Sequence, residues 1–600
     1  MKRFIKSGLF GVFIFTAIVI IGLSSYLTHL YIKHIELDQR FGSTINLQQD
    51  SIYKNGKKLP EWLPSQYDKQ SRLFFLCKTW GFLKYYAENK HNTKINVDKV
   101  LFLFLDNLMA NPELDQTEYN LLLKEMIFSI QTDSLHGNNP LPDIDDYTLI
   151  SNGWMTDTIC LNEENSQSLQ DIFSHHKGWA NKWVSTNHIG VVQRLNTLDY
   201  SDIHNPNVRL WGLFDFWNFI NYFYPNKNFM EQSWDLSLYE AIPEFVTAND
   251  ETEYRKAIYR LVNQLKDTHA SYPVTIDQHL FGEYRPMFRM MKINDTFMIS
   301  SVRDEEHYEA PFVQGDIVLA IDGKAVLPYY DSLQQYVCGG NEWSNQRFVC
   351  NALLSRREKN TRFTILRDKD SLYLQSHNLE YETLYRRELK QKEKKASKTL
   401  YRWIDKNIAY LELGPLSHKK FKKNYSPIKE ASVIILDLRN YPEQSLSIDI
   451  ADNFVPFGSS FALSSYADSR FPGMVRYCLA SQRIGTKNCF DGKIIVLVDE
   501  NTGSYSEYLT MLLQANPNTS VVGRSTSGAI GNINLYKFPG NVEIIYTSLG
   551  MIYPDFRTTQ RTGVKIDHYV EPTLKSIFED KDLILEKAIM IAQKSNEGKD

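Results

Sequence analysis

Two kinds of hydrophobic pattern divide the chain. Apolar residues recur at three- and four-residue spacing through residues 72–136 and again through 209–269, which predicts amphipathic helices in both stretches. The two share a register. A Trp, a Tyr and an Asp follow Arg72 (Trp80, Tyr85, Asp98) at the same intervals at which they follow Arg209 (Trp217, Tyr222, Asp235). Each stretch goes on to an acidic residue and a Tyr (Glu118-Tyr119, Glu253-Tyr254), and each closes on an Asp with a His soon after it. This self-similarity predicts a duplicated helical unit, copy 1 over residues 60–140 and copy 2 over 207–280, against the plainer alternative of two unrelated aromatic-rich bundles. Residues 141–206 between them are rich in Asn, Asp, Ser and Gly and read as an extended connection.

Beyond Gly282 the period shortens. Residues 282–380 alternate as short strands around the run GDIVLAIDG (Gly315–Gly323), an apolar strand bracketed by turn dipeptides. This segment resembles a PDZ domain, a module that binds an extended peptide as an added strand; an inert β-rich spacer is the alternative. The basic run Arg386–Lys398 reads as a solvated helix or linker. From 400 to 595, continuous apolar strands (408–413, 432–438, 492–499, 519–523, 542–547) alternate with helices at 504–514 and 582–593, so a layered α/β domain is predicted.

The chain has 600 residues, too many for one core. The net charge of −4 argues against nucleic acid as a partner. At the N-terminus, Lys2, Arg3 and Lys6 precede an uncharged run from Gly8 to Leu27, long enough to cross a bilayer as a helix. Residues 1–34 therefore read as an uncleaved signal-anchor rather than a cleaved signal peptide. The bulk of the chain is expected outside the cytoplasm, in the periplasm of a bacterium with two membranes. The six cysteines are few, and Cys478 with Cys489 or Cys338 with Cys350 could pair or stay as isolated buried thiols. No metal-ligand or phosphate-loop motif occurs, so no metal or cofactor is expected. Nothing in the sequence sets an oligomeric state.

The chemistry centres on KIIVLVDENTGSYSEYLTMLLQ (Lys493–Gln514), where a buried strand turns directly into a helix at Ser504. A serine there meets the positive end of the helix dipole and backbone N–H groups free to hold an oxyanion. A serine at a helix start also serves as a plain N-cap. Four ordered segments decide between the two: LKDTH (Leu265–His269), GDIVLAIDG, DLRNYP (Asp437–Pro442) and TGSYSE (Thr502–Glu507), followed by VVGRSTSGAIGN (Val521–Asn532) and GVKID (Gly563–Asp567) with EPT (Glu571–Thr573). In this order they are similar to the C-terminal processing (tail-specific) serine peptidases.

The resemblance implies a crotonase-like (ClpP/crotonase) catalytic core within an α/β multidomain chain, and cleavage of protein or peptide substrates through an acyl-Ser504 intermediate. The lysine-using branch places its base at what is here Ala529. The resemblance therefore points to the histidine-using, tricorn-core-like branch, with His269 as base, His568 as competitor and His136 without a matching context. That branch orients its base with a glutamate whose place is taken by Gln560. Its oxyanion glycines are replaced by Asn440-Tyr441-Pro442-Glu443-Gln444, leaving backbone donors at Glu443 or Gln444 and Tyr505. Arg439 and Asp437 are expected to brace this loop, Glu507 to support its helix, and Lys537 to be a surface charge. With these departures a catalytically inactive binding or scaffold protein is the alternative. An esterase is disfavoured by the absence of G-x-S-x-G around Ser504.

Overall fold

The computed structural model describes residues 61–597 except 89–94, 134–149, 179–181, 188–189, 196–199, 273–276, 304–310, 397–399, 444 and 480–484. The anchor expectation, residues 1–34, and His136 lie outside the described residues. Among the described residues no helix is long and apolar enough to cross a membrane.

Both stretches of helical period are helical. Helices α1 (Lys69–Tyr86), α2 (Val97–Ala110) and α3 (Gln116–Ile130) form the first copy. The segment read as an extended connection instead carries α4 (Glu163–Ser174) and a short ribbon of β1 (Val184–Thr186) and β2 (Val192–Arg194). Its polar residues are spent on caps: the Asn162 side chain accepts from Asn165 N–H, and Asn120 holds Asn165 and Asn162. The second copy is α5 (Pro206–Phe223), α6 (Trp234–Thr247) and α7 (Glu251–Asn263). The Trp80 indole donates to Val97 O and the Trp217 indole to Trp234 O, the same bond at the same interval.

The two copies meet where α1 crosses α5. Asn218 Nδ2 donates at 2.9 Å both to Cys77 O and to Phe214 O, equivalent carbonyls in the two helices. Gly81 stands where copy 1 would carry the counterpart of Asn218, and a Cβ there would fall 1.9 Å from the amide, so the close crossing needs glycine at that position. A buried ion cluster locks the pair: Lys84 binds Asp215 (2.8 Å) and Asp98 (3.3 Å), Arg194 also meets Asp215, and Lys78 meets Asp235 (2.6 Å).

The β-rich module is an antiparallel sheet ordered β4 (Phe288–Ile293), β5 (Thr296–Val302), β6 (Ile317–Ile321), β8 (Asn360–Arg367), β9 (Asp370–His377), with β7 (Lys324–Ala325) beside β6. Helices α8 (Val326–Leu333) and α9 (Glu342–Leu353) cross one face, and a short ribbon pairs β3 (Tyr284–Arg285) with β10 (Leu379–Glu380). The basic run, as far as Ala396, lies on α10 (Tyr381–Ala396). Cys338 and Cys350 are separate buried thiols, not a disulfide.

The last domain is a sheet ordered β11 (Tyr401–Asp405), β12 (Ile408–Glu412), β13 (Val433–Asp437), β16 (Lys493–Val498), β17 (Thr519–Gly523), β20 (His568–Tyr569), parallel from β12 onward. Continuous apolar strands are required because both faces are covered. Ile408, Ile435, Ile495 and Val522 pack under α14 (Leu583–Glu597). Their alternates Leu411, Ile434, Val496 and Val521 pack under α11 (His418–Tyr425), α12 (Leu446–Phe454) and α13 (Tyr505–Gln514). A second, antiparallel sheet, which the pattern did not suggest, runs β15 (Val475–Leu479), β14 (Leu463–Ala467), β19 (Val542–Ile552), β18 (Gly531–Phe538). Tyr536 and Phe538 of β18 enter the helical core against Phe216, while Lys537 faces outward. This packing sets copy 2 beside the α/β domain.

Candidate active site

Strand β16 delivers the chain into the Thr502-Gly503-Ser504 turn that opens α13. Ser504 has φ 50° and ψ −111°, a conformation that side chains rarely adopt and that survives only where the surroundings impose it. Ser504 is the N-cap residue of α13, at the positive end of the helix dipole.

Glu507 imposes the bend. Its buried carboxylate accepts Ser504 N–H (3.0 Å), Thr526 Oγ1–H (2.6 Å), Gly528 N–H (2.8 Å) and Ala529 N–H (3.1 Å). Burial pushes its pKa up, and these four donors oppose the rise. The residue read as a helix support therefore also builds the loop 526–529 around the nucleophile. The sequence signal for it was an acid in the first turn and a later Ser-Thr-Ser-Gly run short of other partners.

The base segment reaches the same loop. Thr268 Oγ1 donates to Ser527 O (2.7 Å), while Ser527 N–H donates to Thr502 O (2.9 Å) and Ser527 Oγ–H to Glu500 O (2.9 Å). One residue thus bridges the neighbour of His269 and the turn that carries Ser504. The segment holding Gln560 joins through Arg561 N–H, which donates to Gly528 O at 2.9 Å. Lys266 (φ 49°) and Arg561 (φ 67°) share with Ser504 a positive φ, which side chains rarely adopt, so such backbone occurs in all three segments.

His269 is buried, 5% exposed, in a tight turn over Thr268–Ala270. Its Nδ1 meets Thr547 Oγ1 at 2.8 Å, and the Thr547 hydroxyl donates to Asp267 Oδ1 at 3.0 Å. A hydroxyl has one proton. With that proton on the carboxylate, Thr547 accepts from His269, so Nδ1 carries the ring hydrogen and Nε2 the lone pair. Nε2 is buried and makes no hydrogen bond. Asp267 is fully enclosed and also accepts His269 N–H (3.1 Å), Thr547 N–H (2.6 Å) and Tyr224 Oη–H (3.3 Å). Burial lowers the His269 pKa from its ordinary value, and the Asp267 charge works against that fall.

Gln560 does not hold the ring through a hydrogen bond. Neither atom of its buried amide has a partner, and the bond expected from it is made by Thr547. The sequence marks neither residue of this hydrogen-bond chain: Thr547 falls at the end of the predicted strand 542–547, and Asp267 stands only two positions before His269.

The loop after β13 sits against α13. Ser447 N–H donates to Tyr505 Oη (2.8 Å), and Thr502 Oγ1–H to Leu438 O (3.2 Å). Glu443 lies on this loop with its carbonyl accepting Leu446 N–H (3.2 Å); Gln444 is outside the described residues. Arg439 pairs with Asp437 (2.6 Å) and Asp582 (2.8 Å) and so braces the loop from below. His568 lies half-buried on β20 at the far edge of the sheet, paired with Val522, and Ala529 is buried. Among the described residues no cluster of His, Cys, Asp and Glu could hold a metal.

Residues 407–570, which include Ser504 but not His269, match the family described as peptidase family S41. No curated protein matches the sequence. Among solved structures the chain is similar to mature CPAF complexed with lactacystin, at 12% identity and a TM-score of 0.51, covering 65% of this chain and 99% of that one. A CPAF point mutant gives 12% identity and a TM-score of 0.51 over 65% and 98% of the two chains. The photosystem II D1 C-terminal processing protease gives 14% identity and a TM-score of 0.36 over 61% and 96%. At such identities the likeness to CPAF is one of fold.

Proposed function

With residues 407–570 identified as a peptidase family S41 domain, and the chain thereby as a serine-type peptidase, we propose that it cleaves protein substrates by attack of the Ser504 hydroxyl with His269 as base. The observation that carries the assignment is the hydrogen-bond chain Asp267–Thr547–His269, because it leaves the acceptor nitrogen Nε2 bare on the segment bridged to the serine turn.

In the proposed reaction, Nε2 takes the Ser504 proton as Oγ bonds to the scissile carbonyl carbon. The oxyanion that forms is held by N–H groups at the mouth of α13 and on the loop after β13, with Tyr505 and Glu443 as donors. The ring then returns its proton to the leaving amine, and water repeats the sequence on the acyl-enzyme. Asp267 stabilises the imidazolium at one remove through Thr547, which takes over the orienting role first assigned to Gln560.

The β-rich module, residues 282–380, presents the substrate as a strand added to β4, an edge strand flanked by α9. Residues 1–34 anchor the chain in the membrane, with the folded part extracytoplasmic. Carbonate extraction of membranes tests this: the full chain should stay with the pellet, and a chain lacking residues 1–34 should not.

Fluorophosphonate labelling tests the chemistry. Ser504 should label, Ser504→Ala should not, and His269→Ala should label much more slowly. Equal labelling of all three would remove the assignment. Absence of labelling in the wild type would favour the inactive binding protein, the reading that the unpartnered Gln560 amide supports.

A further inference from the structure

Three successive carbonyls of the loop 526–529 are held by three different parts of the chain. Ser527 O accepts the Thr268 hydroxyl of the base segment, and Gly528 O accepts Arg561 N–H, next to Gln560. Thr526 O accepts from outside both: Asn341 Nδ2 donates to it at 2.7 Å. The other proton of the same amide goes to Arg561 O at 2.9 Å. One side chain of the β-rich module thus ties the nucleophile loop to the segment after Gln560, and Arg561 Nε returns a bond to Gly340 O at 3.0 Å.

Asn341 is itself fixed. It is the N-cap of α9, its Oδ1 accepting Ser344 N–H at 3.0 Å while Ser344 Oγ accepts Asn341 N–H at 3.2 Å. With a cap on the amide oxygen and two carbonyls on the amide nitrogen, the side chain has one orientation that satisfies every group.

The residues just before Asn341 grip the base segment. Asp267 N–H donates to Cys338 Sγ (3.1 Å), whose thiol donates to Val262 O (3.2 Å), and Gly340 N–H donates to Thr268 Oγ1 (2.9 Å). That last bond leaves the single hydroxyl proton of Thr268 for Ser527 O. A Cβ at Gly340 would lie 2.9 Å from Thr268 Oγ1 and 3.3 Å from Lys266 O, so this close approach needs glycine.

We propose that Asn341 is a positioning residue of the peptidase site, supplied by the β-rich module: its two amide protons fix the loop on which the His269 segment and the Ser504 turn meet. The proposal rests on the assignment of those two residues as base and nucleophile. It is separate from substrate capture on β4, because the bonds of Asn341 go to backbone carbonyls of the site itself.

The test is steady-state hydrolysis of a short fluorogenic peptide, with fluorophosphonate labelling, by full-length wild type, Asn341→Ser and Asn341→Asp. Serine caps a helix about as well as asparagine but cannot reach either carbonyl. Asn341 borders a cavity of about 410 Å³, from which water can hydrate the two carbonyls, so the fold should persist. In Asn341→Ser, kcat and the labelling rate should fall by about 10- to 100-fold, the scale of a misplaced catalytic group, with KM changed by less than about threefold. Aspartate keeps the cap and the shape but turns an oxygen toward two carbonyls. Asn341→Asp should therefore be slower than Asn341→Ser at pH 7.5 and gain on it toward pH 5, where a protonated carboxyl restores one donor. As the stronger cap, it carries the test if Asn341→Ser does not fold. Wild-type kcat and labelling in the folded variants, or a loss confined to KM, overturns this proposal alone. A wild type that neither labels nor cleaves removes the underlying peptidase reading and this proposal with it.

Discussion

Asp267 and His269 stand two positions apart in the chain, yet the ring nitrogen reaches the carboxylate by way of a hydroxyl from 278 positions further on, that of Thr547. The direct approach of His269 Nδ1 to Asp267 Oδ1 is 3.7 Å, too long for a hydrogen bond. Thr547→Val would remove the acceptor for Nδ1–H and one donor to the carboxylate while nearly keeping the shape. Loss of the ring's orientation should lower kcat/KM by about 10- to 100-fold, a share of what a positioned base contributes. Thr547→Ser keeps the hydroxyl and should retain most activity. Steady-state hydrolysis of a fluorogenic peptide by the two variants distinguishes a positioning hydroxyl from a packing methyl.

The buried ring also fixes a pH response. Burial lowers the His269 pKa, so the acid limb of kcat/KM should fall below the ordinary histidine value of about 6.5. Asp267 is the influence that raises it, and Asp267→Asn should therefore move the limb lower still while reducing the plateau. The stability sign agrees with this direction. The unfolded chain takes up a proton near pH 6.5 that the folded ring resists, so this group's contribution to stability is lost as pH falls below about 6.5. Rates measured from pH 4.5 to 8 on wild type and Asp267→Asn give the check, and a wild-type limb above 6.5 would contradict the buried-base geometry.

Parts of the fold around these residues are readable in the sequence, for identifiable reasons. Trp80 and Trp217 repeat because each indole needs the same carbonyl one helix on, so the pattern survives where packing is equivalent. Ser504 was legible because a strand entering a helix through Gly503 leaves little choice of conformation. The partner of His269 was not. Asp267 reads as too close, but the tight turn over Thr268–Ala270 folds its carboxylate back onto His269 N–H. Thr547 carries no local mark, and β19 was expected to end there, whereas it runs on to Ile552. The antiparallel sheet of β14, β15, β18 and β19 is hidden for the same reason: its hairpins β14–β15 and β18–β19 are local, but the pairing that joins them, β14 with β19, links residues distant in the chain.

Glu507 holds the nucleophile turn and the loop 526–529 with one carboxylate, and Glu507→Gln separates its charge from its shape. An amide has one acceptor oxygen and presents a donor where the other oxygen stood, so two of the four donors lose their partner. Buried donors left unpaired cost about 1–3 kcal/mol each. The variant should be less stable by about 2–4 kcal/mol in chemical denaturation and should label with fluorophosphonate far more slowly at temperatures where it remains folded. Normal labelling at reduced stability would assign Glu507 to the fold alone.

Asp499 follows β16, next to Glu500, with Arg524 binding Glu500 at 2.5 Å and standing 3.9 Å from Asp499. Burial first, and then the Glu500 charge, raise the Asp499 pKa to about 6. An unfolded aspartate titrates near 3.9. Between these values the folded state holds a proton that the unfolded chain has released, so this group's contribution to stability falls as pH rises from about 4 to 6. Asp499→Asn cannot ionise, can still accept Asn501 N–H, now 2.8 Å from Oδ1, and leaves the Arg524–Glu500 pair in place. The variant should be more stable than wild type at pH 7.5, by on the order of 1–3 kcal/mol from the size of the shift, and the difference should vanish near pH 4. Urea denaturation of both proteins across that range measures it. A penalty for Asp499→Asn that is the same at both ends would mean that the carboxylate is held ionised by Arg524 and that the pair, not the burial, governs this corner of the site.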